Sequence, residues 1–188
     1  MKFFNYPTTL TWMRIFILPV FVVCFFLPFE STKWISCGLF ALAAVTDYLD
    51  GFLARYLKQT TAFGAFLDPV ADKLIVATAL VLLVSYYPSP WMAIAGVVIV
   101  CREIIISALR EWMAELGKHA TTKVSMIGKL KTCFQLVAII ILLTHPLKHT
   151  LVYNIGFGML YFAVLLTLYS MFNYLHVAYR ALETIESP

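Results

Sequence analysis

Apolar residues in this 188-residue chain fall into six nearly unbroken stretches: Leu10 to Phe29, Trp34 to Leu57, Val70 to Tyr87, Trp91 to Trp112, Val124 to Thr144 and Leu151 to Tyr174. Each is close to the roughly 20 residues that carry an α-helix across the hydrocarbon core of a bilayer. They are too long and too uniform for barrel strands, which alternate. Helices also satisfy their own backbone hydrogen bonds, as lipid demands. Between the stretches, three breaks hold turn residues: Pro28 with Glu30 to Lys33, Pro88 to Pro90, and His145 to Thr150 around Pro146. The pattern predicts an all-α integral membrane protein, a six-transmembrane-helix bundle in one domain over residues 1–188, with no internal repeat or low-complexity tract to divide it.

Charge orients the predicted bundle. Of the 14 Lys and Arg, only Lys33 and Lys148 lie in the three breaks, so the positive-inside rule puts both termini and the remaining connections in the cytoplasm. Trp34, Tyr86, Tyr87, Trp91 and Tyr153 are expected at the outer interface, and Trp112, Tyr174 and Tyr179 at the inner one. Composition agrees: 62% of residues are hydrophobic and 13% charged. The net charge of +4 follows from topology and anionic headgroups, which leaves nucleic-acid binding without support. The stretch from Leu10 to Phe29 is long for a signal segment and has no small-x-small site after it, so it is expected to stay. Cys24, Cys37, Cys101 and Cys133 form no CxxC pair and read as packing residues. His119, His145, His149 and His176 lack the spacing of metal ligands, and Ser107 and Ser125 lack a neighbouring His/Asp set.

Against this background, the aspartates in "DYLDGFLARYLKQTTAFGAFLDPVAD", residues 47 to 72, are costly. Asp47 is about 20 Å along its helix from Trp34 and Asp50 about 24 Å, within the inner half of the bilayer. Asp47, Asp50, Gly51 and Ala54 follow the i, i+3, i+4, i+7 rule and share a face, where the two small residues let a ligand approach the backbone. The third helix is expected to begin near Gly64 to Pro69, with Asp68 and Asp72 an i, i+4 pair. Taken alone, Asp68 before Pro69 reads as an N-cap with proline at N1. Taken together, four converging carboxylates in low dielectric would repel unless cations held them. All-oxygen ligands select hard ions, so two divalent cations are expected, Mg²⁺ ahead of Mn²⁺. Four carboxylates balance two such ions, and Arg55 with further basic residues is left to attract a phosphorylated substrate.

These residues carry a resemblance. Asp47, Asp50, Gly51, Ala54, Arg55, Gly64, Asp68 and Asp72 match every fixed position of the CDP-alcohol phosphotransferase signature, whose six-helix fold agrees with the six stretches. The resemblance implies transfer from a CDP-activated lipid with CMP as leaving group. It makes Asp47, Asp50 and Asp68 metal ligands, Asp72 both a ligand and the general base, and Gly51, Ala54, Arg55 and Gly64 the lining of the cytidine diphosphate site. "CREIIISALREWMAELGK" (101–118), "KVSMIGKLKT" (123–132) and "NYPTTLTWMR" (5–14) resemble bacterial members that transfer a phosphatidyl group from CDP-diacylglycerol to sn-glycerol 3-phosphate. That implies residence in the bacterial inner membrane, with the active site on the cytoplasmic side, and is compatible with a homodimer.

The basic residues independently point to an anionic acceptor. Arg102 lies about 17 Å along its helix from Trp91 and Arg110 about 29 Å, so Arg102 is too deep for surface solvation and needs a partner. Glu103, adjacent in sequence, is expected to point elsewhere, leaving a phosphate or an aspartate for Arg102. Lys129 and Lys131 follow Gly128, where a phosphate would meet both; with Arg110 and Arg102 they form the expected acceptor-phosphate set. Two other classes compete: an ion-coupled transporter, which predicts acids spread along a conduit and an inverted repeat, and a scaffold, which needs no acid cluster. Within the enzyme class, inositol phosphate and serine are the alternative acceptors.

Overall fold

Each apolar stretch overlaps one α-helix in the computed structural model: α1 (Tyr6–Phe26), α2 (Thr32–Leu57), α3 (Ala62–Tyr86), α4 (Pro90–Glu115), α5 (Met126–Leu143) and α6 (Leu151–Glu186). The structure describes residues 6–57, 62–115 and 126–186, and side-chain surroundings at 12–46, 67, 69–114, 128–176, 178 and 179. The expected connections around Lys58 and from Lys118 to Lys123, with His119, therefore lie outside the described residues. Among the described residues, three segments are long and apolar enough to cross a bilayer by themselves, Pro69–Tyr86, Pro90–Ala114 and Leu151–His176; Trp12–Phe26 and Thr32–Thr46 are shorter apolar segments. Their outward surface is apolar, with Phe16 67% and Phe172 66% exposed, the arrangement lipid stabilises and water does not. The chain is a membrane protein.

Helix ends differ from the hydropathy pattern because hydropathy marks the lipid-immersed part, whereas backbone hydrogen bonding continues through polar residues. Thus α6 runs twelve residues past Tyr174. Likewise α3 begins at Ala62 and carries Pro69 inside it, so Asp68 is in the second turn and not at the N-cap. Proline removes one backbone bond there, a loss that neighbouring helices in a membrane bundle tolerate.

Helix α3 is central, touching α1, α2, α4 and α5, while α6 packs on α5 and α4. The apolar core lies toward the end where the short turns are: Phe21, Phe40, Leu80, Leu83, Met92, Ile99, Ile139, Leu142 and Leu160 are fully buried there. The opposite half holds buried Arg14, Arg102, Lys131 and Gln135. One end of the bundle is therefore held by packing and the other is furnished for chemistry.

At the turn end, the α5–α6 connection is fixed by aromatic contacts. Tyr87 is 2% exposed and its hydroxyl donates to the Pro146 carbonyl at 2.8 Å, so it is a buried tie and not the interfacial residue its position suggested. Trp34 and Trp91, each 63% exposed, do have the exposure expected of interface anchors. His145 adopts φ 54°, the left-handed conformation that closes a helix C-terminus, and its ring stacks on Tyr86 at 3.9 Å with Phe25 edge-on at 5.0 Å. At the start of α6, the Thr150 hydroxyl accepts from the Tyr153 N–H at 3.3 Å, a helix cap. Cys101 and Cys133 are exposed on the apolar surface, contrary to a packing role, whereas Cys24 and Cys37 are half-buried.

Burial, and secondarily Lys33, holds the His145 imidazole below its ordinary value of 6.5. Above that pH both folded and unfolded chains carry a neutral ring. Below it the unfolded chain takes the proton first, so stability falls as pH drops through 6.5 and levels once the folded ring is charged as well. Thermal unfolding in detergent between pH 7.5 and pH 5 should therefore show a declining midpoint that His145→Gln flattens.

Helices α5 and α6 pack closely at Gly156, where a Cβ would stand 2.8 Å from Ile141 Cγ2 and 3.2 Å from Leu142 Cγ. Small residues permit such contacts in membrane bundles. Gly156→Ala is expected to cost about 1–3 kcal/mol through overpacking, read as a lower midpoint of thermal unfolding. Gly158→Ala, where a Cβ meets nothing within 4 Å, should leave the midpoint unchanged or raise it.

Candidate active site at the charged end

Helices α2 and α3, joined across residues 58–61, pack against each other with opposite directions and bring their aspartate-bearing ends to one end of the bundle. Positions 47, 50, 51, 54 and 55 are all helical in α2, and 64, 68 and 72 in α3. The i, i+3, i+4, i+7 and i, i+4 registers read from the sequence therefore hold on the backbone. The side chains of Asp47, Asp50, Arg55 and Asp68, and the surroundings of Gly51, Ala54 and Gly64, lie outside the described residues. Asp72 is described and exposed. Among the described residues no three His, Cys, Asp or Glu side chains gather as metal ligands. The donor chemistry nonetheless fits hard divalent cations: four carboxylate positions, two per helix, on consecutive antiparallel helices with small residues at 51, 54 and 64.

The basic residues fall into two groups. Arg102 and Lys131, from α4 and α5, keep only 9% and 6% of their side-chain surface, and both donate to the same oxygen, Glu103 Oε1; the arginine bond is 3.0 Å. The second Arg102 amino group donates to Ser170 Oγ on α6 at 2.8 Å, and Ser170 in turn donates to the Thr167 carbonyl at 2.9 Å. Arg102 and Glu103 of α4 are thereby tied to α6 through Ser170 and to α5 through Lys131. This corrects the expectation that Glu103 points away from Arg102. Neighbouring residues diverge by about 100° on a helix, but a long guanidinium can fold back across that angle, and Lys131 holds the carboxylate in place from the next helix.

Arg110 is exposed, with its guanidinium carbon 5.0 Å from the centre of the Tyr174 ring. Lys129 is exposed while Lys131 is buried, because residues two apart on a helix face different ways. The two lysines therefore do not form the single patch their spacing suggested. Sequence reasoning missed two polar groups. One is Ser170; the other is Lys73, beside Asp72, whose ammonium donates to Ser107 Oγ and ties α3 to α4. Their polarity within apolar helices was the available signal.

Comparison with known proteins extends these observations to nearly the whole chain. Residues 4–169 match the model of the CDP-alcohol phosphatidyltransferase family. A protein of Pectobacterium atrosepticum is 53% identical over 175 residues, covering 93% of this chain and 95% of the relative. One of Sodalis glossinidius is 54% identical over 174 residues, covering 93% and 94%, and one of Wigglesworthia glossinidia brevipalpis 50% identical over 179 residues, covering 95% and 97%. All three bear the name CDP-diacylglycerol--glycerol-3-phosphate 3-phosphatidyltransferase. With its eight-position aspartate pattern on two packed helices and a family match spanning all but its ends, this chain belongs to the CDP-alcohol phosphatidyltransferase family.

Proposed function

We propose that this protein transfers the phosphatidyl group of CDP-diacylglycerol to the primary hydroxyl of sn-glycerol 3-phosphate, giving phosphatidylglycerophosphate and CMP. The observation that carries this reading is 50–54% identity over at least 93% of the chain to enzymes bearing that activity's name. The protein is accordingly a single catalytic domain over residues 1–188. All six helices cross the bacterial inner membrane, with termini and active site at the cytoplasmic face. The apolar lengths of α3, α4 and α6 support the crossing, and the scarcity of Lys and Arg at the turn end supports the orientation.

Asp47, Asp50, Asp68 and Asp72 would hold two divalent cations, Mg²⁺ or secondarily Mn²⁺. When bound, these supply charge neutralisation at the diphosphate and stabilise the departing CMP. Gly51, Ala54 and Gly64 leave room for the nucleotide to approach the backbone, and Arg55 offers its guanidinium to a phosphate. Asp72 takes the proton from the acceptor hydroxyl as its oxygen attacks in line. The new bond joins that oxygen to the lipid-side phosphorus, and the bond to the CMP oxygen breaks. Arg102, Arg110, Lys129 and Lys131 attract the acceptor's phosphate, Arg110 and Lys129 from exposed positions and the other two from the buried cluster. A site at this depth keeps the acyl chains in lipid while the headgroup reacts.

The test is CMP release by purified protein given CDP-diacylglycerol, Mg²⁺ and one acceptor at a time. Release with glycerol 3-phosphate is expected. Release only with inositol phosphate or serine would change the acceptor, and none with any of the three would overturn the reading.

A further inference from the structure

Among the described residues, the buried cluster sets one carboxylate, Glu103, against two of the acceptor cations, Arg102 and Lys131. Glu103 Oε1 accepts from both Arg102 and Lys131, while its side chain keeps 28% of its surface against 9% and 6% for theirs. Glu103 also lines a cavity of about 410 Å³ between α3 and α4, together with Lys73, Ser107 and Glu111. Glu103, Ser107 and Glu111 are spaced i, i+4, i+8 and so lie on one side of α4. The carboxylate thus reaches open space, whereas neither cation lines it. Removing it would leave like charges facing each other in low dielectric, with nothing to fix their separation. With it, the cluster retains one net positive charge and a guanidinium oriented from both ends, by Glu103 and by Ser170. One Arg102 donor is still open: the Nε is buried and has no hydrogen-bond partner among the described residues.

On the reading that these cations attract the acceptor's phosphate, we infer that Glu103 is a positioning residue for acceptor binding. It sets the spacing of Arg102 and Lys131 and leaves the cluster one positive charge for the incoming phosphate. The same geometry admits an opposite role, a carboxylate that occupies the phosphate's place and competes with it. Glu103 is instead assigned to positioning because it bonds both cations at once and acts with Ser170 to fix the Arg102 guanidinium from two directions.

The two roles differ in sign. In Glu103→Gln, KM for glycerol 3-phosphate is expected to rise about tenfold, since the misplacement of binding groups by an ångström or less costs on that scale. KM for CDP-diacylglycerol should change less than about twofold, and Glu103→Asp should recover part of the acceptor affinity. A lowered acceptor KM, or equal KM values with only kcat reduced, would overturn the inference. Should the Gln variant not fold, Glu103→Asp decides: a raised acceptor KM supports positioning and an unchanged one overturns it. Lys131→Gln and Arg110→Gln separate this inference from the reading beneath it. Normal acceptor KM in both would remove the phosphate-binding assignment itself. A rise in either one, beside a normal value in Glu103→Gln, would remove only the role of Glu103.

Discussion

Asp72→Asn should reduce turnover by about 10³-fold, near the middle of the range for loss of a general base, while binding of the CDP-lipid survives. The asparagine keeps the shape of the side chain but cannot take a proton at neutral pH. The residue is the fourth aspartate of the pattern, one turn beyond Asp68 on α3, and its side chain is exposed at the charged end of the bundle. If Asp72 also contributes to a cation, the remaining Asp47, Asp50 and Asp68 would still offer three carboxylates. CDP-lipid affinity should then fall about tenfold, the low end of the scale for losing one supporting group of a metal site. CMP release measures the first quantity, and equilibrium binding of a labelled CDP-lipid in micelles the second. Near-normal turnover would exclude Asp72 as the base; loss of binding parallel to loss of turnover would make it a ligand alone.

Chelation by EDTA should abolish CMP release and also lower the unfolding midpoint, with Mg²⁺ restoring both. The second readout follows from electrostatics independently of catalysis. Four carboxylates on two packed helices repel one another when all are charged, so cations that bind only the folded state stabilise it. At a concentration one hundred times the dissociation constant, that linkage contributes about 2.7 kcal/mol. Asp50→Asn should shrink the Mg²⁺-dependent gain in midpoint, whereas Glu111→Gln, a carboxylate on α4 outside the pattern, should leave it intact. A gain unchanged by Asp50→Asn would remove that residue from the cation site.

The helices were legible because lipid selects long apolar runs, and no tertiary contact is needed to read them. Their ends were less so. Pro69 reads locally as a helix start, yet α3 begins seven residues earlier, since surrounding helices tolerate the missing bond. Tyr87 looked like an interfacial aromatic because sequence gives depth but not facing; the fold turns it inward to the Pro146 carbonyl. Arg102 was recognised as needing a partner, correctly for its depth, but the partner was misassigned because side-chain reach across a helix depends on what holds the other end. That holder is Lys131, 28 residues beyond Glu103 on another helix.

By itself, the order of residues determined that this is a membrane protein of helices with two acid pairs in fixed register, since apolar length and helical period are properties of neighbours along the chain. Only the tertiary structure decided how the core divides from the charged end, which cations are buried, and that one glutamate joins two of them. Those outcomes depend on which faces of distant helices meet, and spacing along the chain does not specify that.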